Sequence, residues 1–309
     1  MKLWVGITDG AWVEQLRAMS LRQEMDEVNF WRPSGASFKA LDEGGLFLFK
    51  LHAPHNFLVG GGFFSRAPLL SVRLAWDAFG LYNGVVSCEA FRERIVKYNG
   101  AEPAQGVTCI ILSEPFFFAR EDFIPVPPEF SRHIQVGRGF DAFSGVGRNL
   151  YEQVGERIAR MRVQARGPAQ FAVAEARFGT PRLTSPRLGQ GGFRIGVLEN
   201  YRRRCAISGE RTVPVLEAAH IKRHSDGGGH QLNNGLLLRS DLHRLFDLGY
   251  LAIHPEERRV LVSPRIREEY ENGREYYALH GRHLAAPLEP GAVPDPLHLQ
   301  HHLENVFRA

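Results

Sequence analysis

An α+β protein of two domains is what this sequence predicts, and three features predict it. The first part of the chain mixes short apolar strands with few, short helices. Residues 137–192 are punctuated by glycine and proline around a single amphipathic helix. Late in the chain a strand, a turn-rich loop, a second strand and a helix follow one another between Val213 and Asp247. The expected division is therefore 1–136, a mixed sheet or barrel; 137–192, a linker with one helix; and 193–309, a second domain with a C-terminal helical extension.

A length of 309 residues suffices for two cores, and 44% hydrophobic with 23% charged residues is ordinary globular composition. Leu3 to Thr8 reads as a strand and Ala11 to Met19 as a helix. Gly45 to Leu51 (G-L-F-L-F-K-L) reads as a core strand with flanking turns, followed by Asn56 to Phe64 (N-F-L-V-G-G-G-F-F). Helices are expected at Ser71 to Phe79 and Cys88 to Asn99, then a strongly apolar strand at Val107 to Leu112. Gly137 to Gly147 is glycine-rich, Gly147 to Arg166 is the helix of the linker, and Arg166 to Gly192 contains R-G-P-A, G-T-P-R and S-P-R-L-G-Q-G-G. Past the late hairpin, Tyr250 to Val262 suggests a strand pair and Pro296 to Phe307 a last helix.

The late hairpin carries the chemistry. Val213 to Ile221 is an apolar run that delivers His220 to its end. His224, Ser225, Asp226 and Gly227 to Gly229 form a loop, and Asn234 opens a second apolar run, Gly235 to Leu238. Ser240 is placed to cap a helix on which His243 and Asp247 share a face.

The strings A-A-H-I and N-G-L-L-L-R-S-D-L-H-R-L-F-D resemble the ββα-metal fold of HNH endonucleases of predicted bacterial restriction type, strongly from about Arg204 to Ile253. That resemblance implies a general base at His220, an asparagine at Asn234 that orients the loop bearing it, and a metal ligand at His243. The chemistry suits the residue types. A neutral imidazole can take a proton from water near neutral pH, a divalent cation stabilises the phosphate transition state, and an amide can tie two ends of a loop together. One departure stands out: many HNH enzymes place a metal-binding Asp or His just before the base, where this chain has Ala219. Weight then shifts to Asp247 as second ligand, with Glu217, on the same strand face as position 219, as an outer-shell group. One imidazole with hard oxygen ligands favours Mg²⁺ or Mn²⁺. His298, His301 and His302 are expected to belong to a helix packed on the nuclease core rather than to a metal site.

Composition agrees with a nucleic-acid enzyme. The formal charge is +4 and the pI about 9.1. Arginines cluster at Arg157, Arg160, Arg162 and Arg166, and again at Arg202, Arg203 and Arg204, where contact with DNA phosphates is expected. Three cysteines, Cys88, Cys109 and Cys205, form no C-x-x-C pair; C-A-I-S supplies one thiolate where a zinc knuckle needs two, so no structural zinc and a reducing compartment are expected. Asp9 interrupts the apolar N-terminus and no stretch reaches membrane-spanning length, which predicts a cytoplasmic protein without membrane contact.

W-V-G-I-T-D, D-E-V-N-F-W-R-P-S-G, a G-x-L-F-L-F-K-L strand and a glycine-rich G-G-G-F-F turn over about the first 135 residues resemble a PUA-superfamily barrel of the EVE, ASCH and SRA kind. In restriction enzymes that join such a barrel to HNH, the barrel often extrudes a base and inspects it, commonly a modified cytosine. A flipped base needs an aromatic to stack on and amide or carboxylate groups for its edge. Asp26, Asn29 and Trp31, with Trp76 and Phe79 as walls, are the candidates, against the commoner fate of such aromatics as core. The sequence reading is thus a modification-dependent endonuclease acting on double-stranded DNA. A double-strand break would take two protomers, as in a homodimer, or two visits. The alternatives are a nicking or homing-type HNH nuclease of unmodified DNA and a non-catalytic binding protein with a structural hairpin.

Overall fold

The computed structural model describes residues 1–101, 103, 106–130, 134–165 and 188–309, the last four of the 134–165 run as backbone only. The chain forms two compact units, Met1–Leu188 and Gly189–Ala309.

The first unit is built on a mixed sheet. Its strands are β1 (Lys2–Thr8), β2 (Glu27–Arg32), β3 (Leu46–Leu51), β4 (Phe57–Arg66), β5 (Leu69–Leu70), β6 (Val107–Phe117), β7 (Ile124–Pro125) and β8 (Gly137–Asp141), and its helices α1 (Gly10–Ser20), α2 (Val72–Phe79), α3 (Cys88–Asn99) and α4 (Gly145–Ala165). The hydrogen-bonded order is β2-β6-β4-β3-β1-β8, with β5 on β6 and β7 on β4. Among the described residues, only β1 and β3 run parallel. A parallel pair needs a crossover, and the chain between them supplies α1. Side chains at N-caps fix the starts of three helices: Asp9 accepts from Trp12 N at 2.8 Å, Ser71 from Leu74 N at 3.2 Å and Ser87 from Ala90 N at 3.1 Å.

Strand β3 shows why the sheet is buried on both faces. Its alternating residues divide between two cores: Phe47 and Phe49 pack with Trp12, Val13 and Leu16 of α1, while Leu46 and Leu48 pack with Leu150, Tyr151, Val154 and Ile158 of α4. A strand covered on both faces reads as a continuous apolar run.

Three expectations are corrected here. Among the described residues the sheet is an open path ending in β2 and β8, not a closed barrel. Residues 137–165 are not linker: β8 pairs antiparallel with β1, and the stripe Leu150, Val154, Ile158 places α4 on the sheet. The remainder of the expected linker, residues 166–187, lies outside the described residues. Finally, Gly60, Gly61 and Gly62 form no turn but lie inside β4, where the register with β6 shifts. A Cβ at Gly60 would sit 2.2 Å from the Phe116 carbonyl oxygen and one at Gly61 2.5 Å from that of Phe47, so only glycine lets the neighbouring strands approach.

The second unit contains α5 (Gln190–Asn200), β9 (Leu216–His220), β10 (Gly235–Arg239), α6 (Ser240–Asp247), β11 (Leu251–Ile253), β12 (Val260–Val262), α7 (Arg265–Tyr270), α8 (Arg274–Tyr277) and α9 (Pro296–Asn305). β9 and β10 pair antiparallel, with His220 opposite Gly235 and Glu217 opposite Leu238. The expected strand from Val213 starts late, because Val213–Val215 is a 3₁₀ turn and Pro214 has no N–H for a ladder. Of the apolar residues of α6, Leu242 and Phe246 are buried and Leu245 is half-buried. On α9, His302 stacks on Phe246 with ring centroids 3.7 Å apart and 8° between planes, and its Nε2 lies 3.0 Å from the Phe246 carbonyl. Burial pushes the His302 pKa down to about 4. No helix among the described residues is long and apolar enough to cross a membrane.

Candidate active site

Strand β9, the loop from Ile221 to Asn234, strand β10 and helix α6 position the site. Asn234 is fully buried. Its Oδ1 accepts from Lys222 N at 2.8 Å, and its Nδ2 donates to Lys222 O and Gly229 O, both at 2.9 Å. Ile221 N also donates to Asn234 O at 2.9 Å. Four hydrogen bonds of Asn234 therefore close the loop beside His220.

His220 is half-buried at the end of β9. The Phe193 ring of α5 lies flat against it, centroids 4.1 Å apart and 13° between planes. That contact depends on Gly235: a Cβ there would lie 2.4 Å from Val197 Cγ2 and 2.9 Å from Phe193 Cε2. His220 Nε2 sits 2.9 Å from His230 Nδ1, and the His230 ring runs parallel to that of His224 at 5.8 Å. Burial first, then the neighbouring imidazoles of His230, His224 and His243, lower the His220 pKa to about 4. The imidazole is neutral at physiological pH, as a proton acceptor must be.

Helix α6 supplies the second half of the site. His243 Nδ1 lies 2.6 Å from Glu217 Oε2, and His243 Nε2 lies 3.4 Å from Asp247 Oδ2. A depression of 490 Å³ is lined by Glu217, Ser240, Asp241, His243, Arg244 and Asp247. Ser240 is the first helical residue rather than the cap; Arg239 precedes it and holds the Asp241 carboxylate at 2.6 and 2.7 Å, keeping that carboxyl below the usual range. The Arg223 guanidinium bonds to the Asp247 carbonyl.

The donors available to a divalent ion are one imidazole nitrogen and one carboxylate, His243 Nε2 and Asp247. With the Nδ1 proton donated to Glu217, the Nε2 lone pair and the Asp247 carboxylate face each other, two acceptors that a cation between them would reconcile. Among the described residues, no group of three or more His, Cys, Asp and Glu side chains is placed to hold a metal ion. Ala219, the position of the usual further ligand, is fully buried against the core.

The other predicted residues are placed as follows. Arg202, Arg203 and Arg204 are all exposed, and Arg202 and Arg203 hold left-handed backbone (φ 53 and 55), a strained conformation for side-chain-bearing residues. Arg157 and Arg160 are occupied: Arg157 Nε donates to Asp122 O at 2.7 Å and Arg160 pairs with the Asp122 carboxylate at 2.9 Å. The Arg162 side chain and Arg166 lie outside the described residues. Cys205 is buried and accepts from Arg239 N at 3.3 Å and Ser208 N at 3.4 Å.

The base-pocket candidates are placed differently from the expectation. Asp26 is exposed, but Asn29, Trp31 and Phe79 are buried and Trp76 is half-buried. Asn29 Nδ2 donates to Asn83 Oδ1 at 2.8 Å, Trp31 Nε1 donates to Asn83 O at 2.9 Å, and the Trp31 ring meets Phe91 edge-on at 5.1 Å. Asn83 in turn donates to Ala75 O at 3.2 Å and Gly80 O at 2.8 Å. As placed, Asn29 and Trp31 anchor α2 and the turn after it to β2. A partner 54 residues away in sequence carries no local signal. His230 and Phe193, both in contact with His220, also escape sequence reasoning.

Residues 205–254 match the HNH endonuclease family. No curated protein matches the chain. Among solved structures, a chain described as "Modification dependent TagI restriction endonuclease" aligns over 92% of this chain and 78% of its own, at 14% sequence identity and a TM-score of 0.26.

Proposed function

We propose that this chain is a DNA endonuclease that hydrolyses phosphodiester bonds at the β9–β10–α6 hairpin. The observation that carries the reading is the joint placement, within the segment that matches HNH endonucleases, of a half-buried His220 at the strand end, a buried Asn234 closing its loop, and His243 flanked by Glu217 and Asp247. His220 accepts a proton from the attacking water. Asn234 holds the loop that shapes the surroundings of His220. His243 and Asp247 would hold a divalent ion, Mg²⁺ or Mn²⁺, with Glu217 fixing the His243 tautomer. Such an ion supplies positive charge against the developing phosphate and leaving oxygen. Arg202, Arg203 and Arg204 contribute contacts to backbone phosphates.

The proposal extends to target choice. The first unit acts as the reader, in keeping with the PUA-like sequence pattern, and modified cytosine is the expected target, with two protomers meeting to cut both strands. Because Asn29 and Trp31 are engaged with Asn83, base flipping there would need the α2 region to open. The test is digestion of matched plasmids with unmodified, methylated and hydroxymethylated cytosine in Mg²⁺, Mn²⁺ and excess chelator. Wild type should cut only with metal, and His220→Ala should bind DNA without cutting. Cleavage by His220→Ala would remove the assigned base, and equal cutting of unmodified DNA would remove the modification reading. Ala219 in the ligand position favours the rival of a non-catalytic hairpin, which predicts no cutting in any metal.

A further inference from the structure

We infer that His230 is a positioning residue that selects the catalytic tautomer of His220, an inference that rests on the nuclease reading above. His220 Nε2 and His230 Nδ1 are 2.9 Å apart, so one nitrogen carries the proton and the other accepts it. Only one of the two arrangements is compatible with a base. If His230 donates from Nδ1, a neutral His220 must carry its own proton on Nδ1 and has no lone pair left for water. If His220 donates from Nε2, its Nδ1 is bare and aims a lone pair away from His230. His230 then carries its proton on Nε2.

The surroundings hold the two rings in this relation. Phe193 stacks on His220 at 4.1 Å and reaches His230 at 5.6 Å, so one aromatic ring restrains both imidazoles. His230 lies in the loop closed by Asn234, and the anchor Gly229 O, which receives the Asn234 amide at 2.9 Å, is its immediate neighbour in the chain. The clamp therefore fixes the backbone from which His230 reaches His220. When His220 takes a proton from water, its Nε2–H becomes a donor from a cation, and the bond to His230 strengthens. The stabilisation appears as the reaction proceeds, which is where it accelerates the chemical step.

Two arms test this on the full chain. In the first, ¹⁵N-histidine NMR of the metal-free protein near pH 7.5 reads the tautomer directly, with His220 assigned by its loss in His220→Ala. The expected pattern is a protonated Nε2 and a bare Nδ1, which becomes mixed in His230→Phe, where shape is kept and the acceptor removed. A protonated Nδ1 in wild type, or a pattern unchanged in His230→Phe, overturns the inference whether or not the protein cuts DNA. In the second, His230→Phe should lower kcat about 10- to 100-fold, the range for one lost charge-assisted hydrogen bond, at unchanged affinity for DNA. His230→Asn, whose amide oxygen can accept in place of Nδ1, should restore most of it. Wild-type kcat in His230→Phe with a dead His220→Ala sinks the role of His230 and leaves the nuclease reading standing. Cleavage by His220→Ala sinks both.

Discussion

Replacing Asn234 separates a clamp from a ligand. In Asn234→Ala the loop loses three side-chain hydrogen bonds, to Lys222 N, Lys222 O and Gly229 O, at 2.8, 2.9 and 2.9 Å. At about 1 kcal/mol for each, the loop closure weakens by about 3 kcal/mol. If the Lys222 amide exchanges by opening of this loop, its hydrogen exchange should accelerate by about a hundredfold. Asn234→Asp is the sharper perturbation. It keeps an acceptor for Lys222 N but turns the second oxygen, now anionic, toward two carbonyl oxygens, so its exchange should be at least as fast as that of Asn234→Ala. Were the residue needed as an oxygen ligand for metal, Asp would serve as well or better. The assay is exchange mass spectrometry on peptides spanning residues 221–234, paired with plasmid cleavage. Both variants should be exchange-labile and nearly inactive. An active Asn234→Asp with native protection would refute the clamp.

Two further outcomes follow from charge. His220 and His302 both have pKa values lowered to about 4 in the fold, chiefly by burial, so the unfolded chain binds more protons between about pH 6.5 and pH 4. Stability should therefore be full above about pH 6.5 and fall as pH drops through 4, by on the order of 3 kcal/mol for the deeply buried His302. Urea titrations at pH 7.5, 5.5 and 4.5 check this, and His302→Leu should flatten the slope; a slope left intact would contradict the burial argument. Replacing Arg202, Arg203 and Arg204 together with Gln should reduce the slope of log affinity against log salt by up to about 3, near 0.9 per phosphate contact on duplex DNA. An unchanged slope in fluorescence anisotropy would place the DNA elsewhere.

What was legible in the sequence had a local cause. Helix α3 starts where Ser87 can cap it and ends at Gly100 in a left-handed conformation, and the expected bounds Cys88 to Asn99 coincide with it. The hairpin was legible because Asn234, Gly235 and the apolar run after them punctuate the chain at short range. What escaped depended on partners far away. Strand β8, G-R-G-F-D, has almost no apolar content of its own and exists because β1 offers it an edge. Helix α4 had a readable stripe, but no local signal said which surface it covers. Asp122 claims Arg157 and Arg160, although an arginine cluster reads as free for phosphate. Asn83 and Trp31 meet across 52 residues, and an aromatic that looks ready for a base is thereby committed to packing.

The stack of Phe193 on His220 has an evolutionary consequence. Position 235 faces the ring of residue 193 so closely that a single added carbon would collide with it. Position 235 cannot drift alone: any larger residue there would have to arrive with smaller ones at both 193 and 197, whereas glycine at 235 tolerates an aromatic or a smaller residue at 193. Relatives that share this hairpin should therefore keep glycine at 235 wherever 193 is aromatic and 197 is β-branched, and a lineage that kept glycine but lost the aromatic would have left its histidine uncovered.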